Sequence, residues 1–277
     1  MADAGFGWNL AADMATMWRY DFMRHAFEAG TIIAIVAGVI GYFVVLRRSA
    51  FAAHALAHVG FAGAAGAVLL GLNPLAGLFT FTVGGGIVMS ALGERTAERD
   101  VQIGTVLAFV LGLGVLFLSL YAGYATEAYS LLFGQVLGIA AADVVVTLVA
   151  GLVILAVFAV IYRPLLFASL DADVAEAKGV PVAGLGVAFL VLVAVATSIA
   201  VQIVGILLIF ALMVTPAATA ERFARRPLEG MILSVAVALA ATWLALFVSF
   251  YVPYPVSFFI TTATFAAYLA ALAVTRR

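Results

Sequence analysis

Nine apolar stretches, most of them about as long as a bilayer crossing, leave this chain little choice of fold. They run near 27–46, 50–71, 75–92, 103–123, 136–161, 183–200, 203–218, 230–250 and 256–274. A helix needs about 20 mainly apolar residues to cross the hydrocarbon core. No water reaches the backbone there, so amides and carbonyls must pair within the segment, and a helix does this for a single run. Residues 183–218 carry no charge and are broken only by Gln202 and Gly205, so eight full spans plus one broken segment is the competing count. The expected fold is all-α: one polytopic membrane helix bundle over 1–277, with eight to nine transmembrane helices.

Composition closes off the soluble alternatives. Apolar residues make up 66% of the 277 and charged residues 10%, against about 45–50% and about 25% in soluble domains. A net charge of −1 offers nothing to nucleic acid, and the absence of cysteine removes disulfides, thiolate metal sites and cysteine nucleophiles together.

Basic residues alternate between the loops. Arg47 and Arg48 follow the first stretch, Arg95 and Arg99 the third, and Arg163 and Lys178 the fifth. Arg222, Arg225 and Arg226 follow the seventh, and Arg276 and Arg277 the last, whereas the intervening loops carry no Lys or Arg. Eleven of thirteen basic residues thus fall on one side, which the positive-inside rule assigns to the cytoplasm. The N-terminus is then outside and the C-terminus cytoplasmic. Arg19 and Arg24 run against the pattern, but residues 1–25 mix Met14, Met17, Trp18, Tyr20, Phe22 and Met23 with charges, as an interfacial segment does. A partly ordered tail is the simpler account of the same residues.

Two of the three histidines, His54 and His58, lie four residues apart in the second stretch. Just over one helical turn separates them, so both imidazoles share a face. Imidazole suits zinc, copper, iron and nickel, and ionisable groups at membrane depth mark a functional path by default. Ala53, Ala57, Gly60, Ala64 and Ala67 make this helix slim enough for close packing inside a bundle. The pair is therefore a candidate metal contact, weighed against His54 bonding headgroups and His58 bonding a neighbouring helix. Metalloproteases also space two histidines this way, but they need Glu after the first, and Ala55 stands there. Glu221 is a further candidate on the metal path, with pairing to Arg222 or Arg225 as the plainer account. Asp100 and Asp143 read as helix caps, and Glu28 and Glu127 as outer-face charges.

Lys178 is the only lysine, and Ala177-Lys178-Gly179 is no Walker A loop. ATP-driven work would need a separate ATPase, so the chain itself is not expected to be an enzyme. Residues 165–180 offer a docking segment after Arg163-Pro164. Ser169 or Asp171 can cap a short helix, Asp173 and Glu176 suit its early turns, and Gly179 can take the left-handed stop before Pro181. An ordinary surface helix accounts for these residues equally well.

The run Arg47-Arg-Ser-Ala-Phe-Ala-Ala-His-Ala-Leu-Ala-His-Val-Gly resembles the second-span signature of the zinc/manganese ABC importer permeases, and Val204 to Ala220, ending Pro-Ala-Ala-Thr-Ala, resembles their other hallmark. Leu132-Phe-Gly-Gln-Val-Leu, Asp100-Val-Gln-Ile-Gly and Asp171 to Gly179 also fit, so the similarity covers nearly the whole chain. The resemblance implies a homodimeric or otherwise paired membrane core in a prokaryotic cell membrane, two cytoplasmic ATPases and an extracytoplasmic metal-binding protein. It also makes Asp171, Asp173, Glu176, Lys178 and Gly179 ATPase-coupling residues. The family's metal-pathway Asp and His fall on His54 and His58, so imidazole replaces a carboxylate at His54, a change that favours zinc over manganese. Near Phe250-Tyr-Val-Pro-Tyr-Pro-Val-Ser257 an Asp common in relatives is replaced by Pro253. A gradient-driven transporter with a histidine proton relay and a permease for a metal chelate are the alternative functions.

Overall fold

The computed structural model describes residues 10–91, 96–120, 134 and 138–275. Among the described residues there are eleven helices and no strand. They are α1 (Leu10–Met17), α2 (Asp21–Leu46), α3 (Ala50–Leu69), α4 (Pro74–Ala91), α5 (Thr96–Ser119), α6 (Ala141–Leu170), α7 (Ala172–Ala177), α8 (Val182–Val204), α9 (Ile206–Glu221), α10 (Pro227–Tyr251) and α11 (Val256–Thr275). Eight of these helices are long and apolar enough to cross a membrane. Glu127 and the Leu132-Phe-Gly-Gln-Val-Leu run, apart from Gly134, lie outside the described residues.

Gly205 separates the sixth apolar stretch from the seventh. It ends α8 at φ +83°, a conformation that costs a side-chain-bearing residue but not glycine. The 16 residues of α9 that follow rise only about 24 Å, short of the roughly 30 Å core. The seventh apolar stretch is thus, by length, the one that falls short of the other eight. Pro216 lies within α9 and, having no N–H, leaves the Leu212 carbonyl without its usual donor.

Two other boundaries differ from expectation. Helix α2 starts at Asp21, so residues 21–25 are its first turns; Met17 and Met23 are fully buried while Trp18 and Tyr20 stay exposed. Helix α6 continues past Pro164 to Leu170. One proline removes one amide and crowds one turn, and in a span this long the flanking turns carry the helix through.

The chain divides into two compact units. The first comprises Met1–Tyr42, Gln135–Gly151 and Ala211–Arg277; the second comprises Phe43–Gly134 and Leu152–Phe210. In the first unit small residues let backbones touch: a Cβ on Gly41 would strike the Met213 carbonyl. Trp243 Nε1 donates to Thr31 Oγ1 at 2.9 Å, and its ring meets Phe27 edge-on at 5.9 Å. The Tyr251 hydroxyl donates to Asp13, fastening α1 to the end of α10. His25, the third histidine, bonds the Ile139 carbonyl at 3.1 Å through Nδ1. Asp143 is the third residue of α6 rather than its cap: its carboxylate reaches back to the Ala140 amide at 3.1 Å, the N3 half of a capping box. Asp100 likewise lies inside α5.

The second unit is built around α3, which packs on α4, α5 and α8. Gly63 on α3 and Gly77 on α4 face each other so closely that a Cβ on either would overlap the other's carbonyl. Phe61 of α3 lies against Gly114 of α5, and Leu190 of α8 against Gly86 of α4. Without a hydrophobic force between helices in lipid, such van der Waals fit is the main source of cohesion.

Candidate metal pathway site

His54 and His58 project from α3 in the second unit, and both side chains are half-buried. Their ring centroids are 4.6 Å apart with planes at 76°, so the two imidazoles meet edge to face. Phe210 also meets His54, at 4.7 Å and 68°. Helix α3 brings its small residues to the interior, with Ala53, Ala55, Ala57 and Gly60 all buried, and leaves the two imidazoles as its chemistry-bearing groups. Nδ1 of His54 is buried and has no hydrogen-bond partner among the described residues. Such an orphan costs about 1–3 kcal/mol, a cost that a bound ligand at that nitrogen relieves.

The contact with Phe210 joins the two sequence hallmarks. The second-span run supplies the histidines, and the Val204–Ala220 run supplies the ring that meets His54. Phe210 has no chemistry of its own to announce a role, so the sequence alone did not single it out; its place in the hallmark run was the available signal. Among the described residues no group of three or more His, Cys, Asp or Glu converges. Among the described residues, the pair therefore offers two imidazoles and no third such ligand beside them.

The remaining candidates are dispersed. Glu221 ends α9 in the first unit with its side chain exposed, and Arg222, its expected partner, instead donates to Tyr268 and Thr275 at 3.3 Å each while stacking on the Tyr268 ring. Residues 165–170, placed in the docking segment from sequence, are the last turns of α6, with Leu165 and Ala168 buried. The free-standing part is α7. Asp171 Oδ1 accepts from the Val174 amide at 3.0 Å, the N-cap expected. Gly179 takes φ +82°, and the Val180 amide bonds the Ala175 carbonyl at 3.0 Å, which closes the helix as a Schellman motif. Ala175 is fully buried and pins α7 near α8, while Asp171, Asp173, Glu176 and Lys178 stay exposed.

Residues 19–275 match the ABC 3 transport family. The chain is 30% identical over 228 residues to the manganese transport system membrane protein MntC of Listeria monocytogenes, covering 82% of this chain and 79% of that protein. It is 31% identical over 233 residues to the manganese import system permease protein ScaB of Streptococcus parasanguinis, covering 84% and 83%. PsaBC from Streptococcus pneumoniae, solved in complex with Fab, superposes with a TM-score of 0.84 at 27% identity and covers 95% of both chains. Eight membrane-length helices and a family match across nearly its full length make this chain a multi-pass membrane protein that belongs to the ABC 3 transport family.

Proposed function

We propose that this chain is the membrane permease of an ATP-driven importer for a divalent transition metal ion, and that the ion passes against His54 and His58. The observation that carries it is the imidazole pair, 4.6 Å apart on one helix face, with one buried nitrogen that has no partner among the described residues. The named cargo of the relatives, manganese, supports the metal class. The two imidazoles of this chain favour zinc over manganese, since nitrogen ligands suit late metals and carboxylates suit manganese. Paired with a second copy of itself, the chain would surround the ion with four nitrogens. A closed four-ligand cage would hold the ion, so the site must bind moderately and release as the path alternates between outside and inside.

ATP hydrolysis belongs to a separate cytoplasmic subunit, and an extracytoplasmic binding protein delivers the ion. The charged, exposed, well-capped α7 is the element we assign to the ATPase seat. Asp171→Ala removes its cap, which costs about 1 kcal/mol. In assembled transporter it should lower metal-stimulated ATP hydrolysis while leaving the binding of the ion intact. Equal loss of both would place α7 elsewhere in the mechanism.

Uptake of zinc and manganese in competition tests the proposal. Wild type should prefer zinc, and His54→Asp should move the ratio roughly tenfold toward manganese, about 1.4 kcal/mol of relative affinity. Uptake that continues without the ATPase subunit would favour a gradient-driven carrier instead.

A further inference from the structure

A histidine that ligates a metal usually gives its second ring nitrogen to a carboxylate, a carbonyl or a water, and that bond sets the orientation of the ring. At Nδ1 of His54 there is no such bond among the described residues. Some restraint is needed, because the last torsion of a histidine side chain is broad and roughly two-fold. A half-turn about it puts a carbon where a nitrogen was. Helix α3 itself supplies little bulk. The residues three and four places from His54 are Ala50, Phe51, Ala57 and His58, two of them alanines. Phe51 reaches toward α5, its ring tip 3.7 Å from where a Cβ on Gly104 would lie.

What meets the His54 ring is aromatic. His58 lies at 4.6 Å and 76°, and Phe210 at 4.7 Å and 68°, so two edge-to-face contacts act on one imidazole. Separations of about 4.5–7 Å with steeply inclined planes are a favoured geometry of ring pairs. The two partners differ in kind. His58 is itself a candidate ligand, so its own orientation needs fixing as much as that of His54. Phe210 has no nitrogen to offer an ion, and it stands on a packed stem. Ile206, Leu208 and Ile209 before it are buried, and the Ile209 amide donates to the Gly205 carbonyl at 3.3 Å. Phe210 and both histidines belong to the second unit.

We propose that Phe210 is the positioning residue of His54: its ring fixes which edge of the imidazole faces the ion. The inference rests on the reading of the two histidines as ion contacts and goes beyond it. An aromatic contact orients the ring without occupying a nitrogen. Nor does it strengthen the ligand, as a hydrogen-bonded carboxylate would. The result is a site that is ordered and yet binds moderately, as passage of an ion requires.

Solid-state NMR of the full chain in lipid, metal-free and isotope-labelled at histidine, reads the order of each ring directly, since the chain has three histidines. His25, bonded to the Ile139 carbonyl at 3.1 Å, serves as the internal reference. In Phe210→Ala, and in Phe210→Leu, which keeps most of the apolar volume, the His54 ring should lose order while His25 stays as in wild type. Phe210→Tyr keeps the aromatic ring and should keep the order. Zinc uptake by the assembled transporter should follow the same division. KM should rise about two- to tenfold in Phe210→Ala and Phe210→Leu, the factor that one edge-to-face contact is worth, with kcat unchanged and Phe210→Tyr close to wild type. A His54 ring that stays ordered in Phe210→Ala and Phe210→Leu overturns the proposal. A loss of order shared with His25 overturns it too, because it marks general loosening, and so does lost order with KM unchanged. Failure of the metal reading would look different: uptake would survive the combined His54→Ala and His58→Ala change, whatever the ring order in the Phe210 variants.

Discussion

Replacing both His54 and His58 with alanine should reduce metal uptake by about 100-fold or more, since loss of even a supporting group around a metal costs 10–100-fold in affinity. The protein itself should survive the change. Nδ1 of His54 has no hydrogen-bond partner among the described residues, and removing a buried nitrogen that lacks one is neutral or stabilising. The expected outcome is therefore a separation: unchanged or raised melting temperature and normal membrane insertion, with uptake lost. Transport assays and thermal melts on the same preparation check both halves. If the histidines were packing residues, the result would invert, because the contacts with Phe210 would be lost and stability would fall before transport did.

The second large effect is structural. Gly63→Leu should destabilise the second unit by about 1–3 kcal/mol or more, as overpacking does. A Cβ at Gly63 meets the Gly77 carbonyl and the Phe81 ring, and the leucine beyond it has nowhere to go. Since α3 carries the histidines, separation of α3 from α4 should depress uptake together with melting temperature. Gly84→Ala, on the same α4, is the control: nothing lies within 4 Å of the added carbon. By helix propensity it should be neutral or stabilising by up to about 1 kcal/mol. Melting temperatures of the two variants in detergent compare them directly. Equal effects would show that the close crossing contributes no cohesion.

The legible parts of the sequence were those where lipid imposes one answer. Long apolar runs had to be helices, and their positions agree with the described spans to within a few residues at most ends. The exceptions have local causes. Pro164 reads as a boundary in sequence, yet α6 absorbs it and continues to Leu170. Gly205 reads as a flaw within one long stretch, yet its positive φ divides α8 from the short α9. Asp171 and Gly179 were readable because capping is local: each acts within a few residues of its own position.

The site was half readable. Two imidazoles on one face follow from spacing alone, but what faces them does not. Phe210 lies 152 positions beyond the second of them and carries no polar signal. Likewise Arg47 looked like one more charge of the cytoplasmic side, and nothing local shows that it reaches Ser169 and Phe189 across the second unit. Long-range pairings of this kind depend on the packing of whole helices.

X-ray absorption spectroscopy of the assembled importer, trapped with zinc bound, tests the central claim most directly. Imidazole nitrogens should appear in the first shell at about 2.0–2.1 Å, with the outer-shell scattering of histidine rings, and should vanish in the double alanine variant. A first shell of oxygen alone, or a spectrum the same in wild type and variant, would contradict the assignment of His54 and His58 to the path of the ion.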